Sequence, residues 1–214
     1  MTRKNSADLQ ASSVHRELRS RILSLDLRPG ARLIEEDLAA NLEAGRTPVR
    51  EALLRLQGEG FVVRDRGWVV QAVNSADVKA IFESRIAIEG FATRLAAERI
   101  TAEELADISA LIAEMSPPNT PPRKKLNRMN QELHLKILQA AHNPMLLQFH
   151  EKTQFHYWNM QDPIIFSNEQ LDVSHVQHKE LLEALQAHDG DRAERLAREH
   201  VMQTMNIVCS ALEE

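Results

Sequence analysis

Four side chains in the second half of this 214-residue chain carry the donor chemistry of a divalent metal site. Asn130 and His134 are four apart and share a face on a helix, and His178 and His200 follow on two later helical segments. A bundle could bring them together as three imidazole nitrogens and an amide oxygen, a set that takes Zn²⁺ first, with Ni²⁺ or Mn²⁺ also possible. Spacing alone leaves another reading open, in which these histidines are exposed or are satisfied core positions. Near the N-terminus, Gly45-Arg46-Thr47-Pro48-Val49-Arg50-Glu51-Ala52-Leu53 has different chemistry. Arg46 and Arg50 can reach guanine edges or phosphates, and Thr47 can donate to a phosphate near a helix N-terminus. Arg66 and Gly67 form a turn that allows close backbone approach. Taken singly, such arginines are more often a solvated face.

The elements that must position these residues follow from periodicity. Val14, Leu18, Ile22 and Leu25 mark an amphipathic helix that stops before Pro29-Gly30. A short helix over Glu35–Leu42 comes next, with Leu38, Ala39 and Leu42 inward. Thr47-Pro48 reads as the N-cap and first turn of a third helix, whose apolar face is Val49, Ala52, Leu53 and Leu56 and which Gly58 and Gly60 end. Phe61–Val63 and Trp68–Val70, joined through Asp65-Arg66-Gly67, read as a β-hairpin. Ala72–Ser75 is the expected linker, dividing the chain at 1–74 and 75–214.

Beyond the linker only helices are predicted. One covers Asp77–Arg99 with Ile81, Ile88, Phe91 and Leu95 inward. The next is capped by a Thr101/Glu104 box and ends before the proline-rich stretch from Pro117 to Pro122. The others cover Arg123–Ala141, Pro144 to past Trp158, Asn168–Ala187 and Asp191–Leu212, with Asp162-Pro163 as a break. His150, Phe155, His156, Tyr157 and Trp158 cluster on one of them, as pocket lining or as core or dimer packing. His142 and His175 are expected at the surface and Cys209 as a small core residue.

Composition fits this outline. Nine aromatic residues and seven glycines are too few for a barrel or sandwich, and the abundance of Leu, Ala, Glu and Arg favours a mainly helical fold. One cysteine excludes an intrachain disulfide and CxxC metal fingers, consistent with a reducing compartment. The absence of a signal-like N-terminus and of a long apolar run predicts a cytoplasmic protein with no membrane partner. The net charge of −5 conceals a split: residues 1–74 carry 12 basic and 10 acidic groups, residues 75–214 carry 14 and 21 together with eight of the nine histidines.

Helix, helix, turn, helix and a two-stranded wing is the order of a winged helix-turn-helix, whose third helix enters the major groove. Pro29-Gly30-x-Arg32-Leu33, Glu36-x-Leu38-Ala39 and Arg46-Thr47-Pro48-Val49-Arg50-Glu51-Ala52-Leu53-x-x-Leu56-x-x-x-Gly60 resemble the GntR family of bacterial transcriptional regulators. The family's usual Ser is Gly45 here, its turn Gly is Glu43, and the Arg that some members carry on the second helix is Glu36. Asp77-Val78, Arg85-x-x-x-Glu89, Asn130-x-x-x-His134, Asn143-Pro144, His178 through Leu185, and Gly190-Asp191 leading to His200 resemble the FCD ligand-binding domain of the FadR-type subgroup.

That resemblance implies a homodimer on double-stranded operator DNA, acting as a repressor, with a helical domain of about six helices that binds a small organic acid. It implies a metal held by an Asp and three His, with Asn130 in place of the Asp, so that the site loses one negative charge and binds metal more weakly. It also implies that Arg85 pairs with the effector's carboxylate, against the simpler reading of a surface salt bridge to Glu89. Two other functions are consistent with parts of the pattern. One is a metal-dependent hydrolase with a DNA-binding appendage, although HExxH is absent and Glu132 points away from the face of His134. The other is a metal-free regulator that senses an acyl ligand.

Overall fold

The computed structural model describes residues 2–24, 26–72, 77–117, 120–158 and 166–213. Residue contacts divide the chain into two compact units, one of Met1–Ser75 with Gln154–Pro163 and the other of Ala76–Thr153 with Ile164–Glu214. The expected linker residues 73–75, Leu25 and the break at Asp162-Pro163 lie outside the described residues.

The first unit runs α1 (Thr2–Leu23), β1 (Arg32–Leu33), α2 (Glu35–Asn41), α3 (Arg46–Glu59), β2 (Val62–Arg64) and β3 (Trp68–Val70). Val14, Leu18 and Ile22 of α1 pack with Val49, Ala52, Leu53 and Leu56 of α3 in one buried cluster, which Phe61, Trp68 and Val70 close from the sheet side. Gly60 ends α3 in the left-handed conformation (φ 84°), a geometry glycine adopts without steric cost and from which Phe61 turns inward. The hairpin pairs Val62 with Val70 and Arg64 with Trp68. A third strand, β1, adds to β3 with Leu33 opposite Trp68, giving the order β1-β3-β2. Two residues are too few for an alternation signal, which is why sequence periodicity does not reveal β1.

Two local corrections arise here. α3 starts at Arg46 behind Gly45, which is extended and makes no side-chain cap, so Thr47 is the second helical residue and not the N-cap. Pro48 is then third, still within the first turn where its missing N–H has no intrahelical partner to lose. In the α2–α3 turn, Glu43 adopts φ 48°, a left-handed conformation that costs a non-glycine residue about 1–2 kcal/mol.

Beyond residue 76 the described elements are all helices: α4 (Val78–Arg99), α5 (Ala102–Met115), α6 (Arg123–Ala140), α7 (Pro144–Trp158), α8 (Asn168–Gln186) and α9 (Gly190–Glu213). The Thr101/Glu104 capping box forms, and Ser167 makes another with Gln170 at the start of α8. α4 packs against α6, α8 and α9. Its buried arc is Val78, Phe82, Arg85, Glu89, Ala92, Thr93 and Ala96. This corrects the expected face, because Phe91 is 45% exposed and Ile81 and Ile88 are only half-buried, although Leu95 is buried. The true face lies about a quarter turn away. Counting apolar residues places Arg85 and Glu89 outside, whereas their mutual pairing lets both enter the core. His175 is buried, not exposed, and Cys209 is half-buried, not part of the core. His142 is exposed as expected.

Candidate DNA-reading helix and metal centre

Arg46, Thr47 and Arg50 are all exposed on the first turns of α3, whose opposite face is anchored by Val49, Ala52 and Leu53. Arg46 Nη2 donates to Glu36 Oε1 of α2. Arg66 stands exposed at the hairpin tip with φ 47°, followed by Gly67 at φ 134°. The tip is braced from β1, where Arg32 Nη1 donates to the carbonyls of Asp65 (3.2 Å) and Arg66 (3.3 Å). At its base the Arg64 guanidinium lies 3.7 Å from the Trp68 ring centroid, and Trp68 Nε1 donates to Glu35 Oε1 at 2.8 Å. This arrangement offers cationic groups on a rigid helix and a stiffened wing. Arg32 is a contributor that sequence reading missed, since nothing in its position announces a reach across to the tip.

In the helical unit, the fold brings His134 of α6, His178 of α8 and His200 of α9 together. One nitrogen from each lies within 4.8 Å of the others, and the ring centroids are 4.8 to 5.9 Å apart. An ion about 2.1 Å from each nitrogen in a tetrahedral set needs nitrogens about 3.4 Å apart, so the rings must close by at most about 1.4 Å. Asn130 lies one turn before His134 on α6 and is half-buried.

The surrounding hydrogen bonds fix which nitrogen two of the rings offer. His134 Nδ1 lies 3.2 Å from Glu89 Oε2, and a carboxylate there requires Nδ1 to carry the proton. His200 Nδ1 lies 2.8 Å from Gln177 Oε1, while Gln177 Nε2 donates to Gln203 at 2.6 Å. Nε2 of both rings is therefore left with its lone pair. His178 is buried with neither ring nitrogen hydrogen-bonded among the described residues. An unsatisfied buried polar group costs about 1–3 kcal/mol, which a bound cation would offset. Burial pushes His178 well below the ordinary histidine value and His200 down to about 3, helped in each case by neighbouring imidazoles. All this suits a divalent cation, which requires neutral imidazoles.

Arg85 and Glu89 border the same site from α4. Arg85 is 5% and Glu89 2% exposed, and Arg85 Nε donates to Glu89 Oε1 at 2.7 Å. The salt bridge weighed in the sequence is thus present, but it is buried. Burial alone would raise the Glu89 carboxyl; Arg85 and the histidines His134 and His150 outweigh it and hold Glu89 well below the usual range. His150 of α7 is fully buried with Nδ1 3.5 Å from Glu89 Oε1, and desolvation lowers it to about 4 despite that charge. Glu89 and Gln177 are contacts of the candidate site to which sequence reasoning gave no role. The i,i+4 spacing of Arg85 and Glu89 was a usable signal, whereas Gln177 gave none. The side chains of Phe155, His156, Tyr157 and Trp158 lie outside the described residues.

Comparison with known proteins agrees with both halves. Residues 10–70 match the model of the bacterial regulatory proteins of the gntR family, and residues 80–203 match the FCD domain. The chain is a GntR-family regulator with an FCD domain. It is 28% identical over 202 residues to the Nta operon transcriptional regulator of Aminobacter aminovorans, covering 90% of this chain and 93% of that protein. It is 26% identical to the transcriptional repressor GlaR of Escherichia coli, over 92% of this chain and 95% of that one. The solved structure of E. coli McbR/YncC superimposes with a TM-score of 0.75 at 26% identity, covering 95% and 98%. These relatives are regulators, and among the described residues of this one no helix is long and apolar enough to cross a membrane.

Proposed function

We propose that this regulator is a homodimeric, effector-responsive repressor, with residues 1–74 binding operator DNA and residues 75–214 binding a small organic acid beside a divalent metal. Arg46, Thr47 and Arg50 carry groove and phosphate contacts, and Arg66 and Gly67 carry wing contacts. His134, His178 and His200 hold the metal with Asn130, Zn²⁺ being favoured. The metal supplies a Lewis-acid centre for carboxylate oxygens. Arg85, oriented by Glu89, receives the effector's carboxylate.

The observation that carries this reading is the convergence of three buried imidazoles, two with Nδ1 already engaged, next to a buried arginine. Dimerisation follows from operator geometry, since two recognition helices read half-sites about one helical turn apart. The effector acts by binding the DNA-competent and DNA-incompetent states unequally. The test is a metal analysis of the purified full chain, followed by mobility shifts on DNA upstream of its own gene with and without short mono- and dicarboxylates. Bound metal and a shift relieved by a carboxylate support the reading. A metal-free protein whose DNA binding no carboxylate alters would overturn it.

A further inference from the structure

Glu36 and Arg46 stand together at the exposed head of the reading helix. Arg46 Nη2 donates to Glu36 Oε1, and both side chains are mostly exposed. The backbones beneath them are fixed. Leu38 of α2 and Val49, Ala52 and Leu53 of α3 share one buried cluster, so the two helices hold the carboxylate beside the guanidinium. The preceding carboxylate, Glu35, is taken up by Trp68 Nε1 at 2.8 Å. Glu36 is the α2 acid that the fold pairs with Arg46.

An arginine alone has two uses on a duplex, as a partner for a phosphate or as a fork on guanine O6 and N7. A carboxylate held beside it separates them. On the backbone it sets a second anion against the phosphate. On a base edge the outcome depends on the neighbouring base, because an ionised carboxylate only accepts hydrogen bonds. Guanine and thymine turn acceptor oxygens to the major groove, and the adenine amine lies beside its own N7 acceptor. Cytosine presents an N4 amine alone. We propose that Glu36 is a specificity-determining residue of this regulator: Arg46 takes a guanine, and Glu36 selects a cytosine, through its N4 amine, in the next base pair. This rests on the assignment of α3 to the major groove. It adds a second base, chosen by α2 and mainly by exclusion, since the carboxylate penalises the other bases more than it rewards cytosine.

The test is selection from a duplex library with a randomised core, using the full chain and its variants. Fluorescence anisotropy on the enriched sequence and its single-base changes follows. For the unaltered chain the selected half-site should hold a guanine and, in the next base pair, a cytosine on a fixed strand. Replacing that cytosine should weaken binding about five-fold or more. Arg46→Ala should lose the guanine preference. Glu36→Ala should keep the guanine and reduce the cytosine preference to within about two-fold, chiefly by binding the changed sequences more tightly. Glu36→Gln should move the preference from cytosine to adenine, because an amide both donates and accepts and so matches adenine N6 and N7. Circular dichroism should be the same for all three variants. One motif shared by the unaltered chain, Glu36→Ala and Glu36→Gln would overturn the proposal while leaving the reading helix standing. A change confined to the guanine position would overturn it too, with Glu36 acting only through Arg46. No enriched sequence for the unaltered chain would remove the DNA-reading assignment itself.

Discussion

Glu36 of α2 accepts a hydrogen bond from Arg46 at the head of α3, so the first arginine of the reading helix already has a protein counterion. A DNA phosphate must compete with that carboxylate. An exposed pair of this kind contributes about 0.2–1 kcal/mol, so Glu36→Ala should tighten DNA binding by roughly 1.5- to 5-fold. The salt dependence of affinity should steepen as well. Fluorescence anisotropy on a duplex from the chain's own upstream DNA, across a salt series, measures both. Weaker binding in the variant would instead make Glu36 a positioning group for Arg46.

Among the described residues Arg50 is exposed with no ion pair comparable to that of Arg46, and Arg46 leaves only a surface pair behind. Arg46→Ala and Arg50→Ala should each reduce operator affinity at least about ten-fold, within the range for loss of a bidentate base contact. Circular dichroism and oligomeric state should stay unchanged. Unaltered affinity at moderate salt would remove α3 from the interface.

His134→Ala deletes one imidazole donor and also leaves Glu89 without its partner at 3.2 Å. Bound metal per chain should fall sharply in plasma-emission analysis. A milder His134→Gln separates the two effects, since it keeps a donor for Glu89. Full metal content in both variants would exclude the site.

Arg85→Ala breaks a buried ion pair and strands the Glu89 carboxylate. Such removals cost about 3–5 kcal/mol, far more than the surface bridge expected from the sequence. Calorimetric unfolding should show that loss, and Arg85→Ala/Glu89→Gln should recover much of it. If Arg85 also receives the effector, the double variant will be stable, bind DNA and ignore the carboxylate. A double variant that still responds assigns Arg85 a structural role alone.

Acid should destabilise the metal-free protein well before general unfolding. His150, His178 and His200 are depressed in the folded state by burial, so the unfolded chain binds protons first as pH falls below about 6.5. Each then removes up to about 1.4 kcal/mol per pH unit until its folded value is reached, about 4 for His150 and about 3 for His200. Glu89, also depressed, contributes stability above its unfolded value that is lost as pH falls further. Urea midpoints between pH 7 and 5 should drop steadily. A flat profile over that interval would mean that these imidazoles are not held neutral.

Much of this was legible in residue order. The winged unit announced itself because Val49, Ala52, Leu53 and Leu56 keep strict helical spacing and Gly60 supplies the left-handed stop. The histidines also converge, because α6, α8 and α9 are long and surround α4. What escaped has a common physical cause. β1 is too short to show a period. Arg85 and Glu89 are individually polar, and only their mutual contact makes burial tolerable, so an apolar count turned α4 the wrong way and placed Ile88 and Phe91 inward in their stead. Gln177 matters through one hydrogen bond to His200, and an amide beside a histidine carries no signature.

Pro48 has one more consequence. As third residue of α3 it has no N–H, while the amide of Val49 already reaches back to the Gly45 carbonyl at 3.3 Å. Of the backbone donors that a helix start offers to solvent, those of Gly45, Arg46 and Thr47 remain. In the proposed DNA-binding role these N–H groups would form a seat for one phosphate group, with the Thr47 hydroxyl beside them. A seat of that shape would fix how far the helix can slide along the groove before any base is touched.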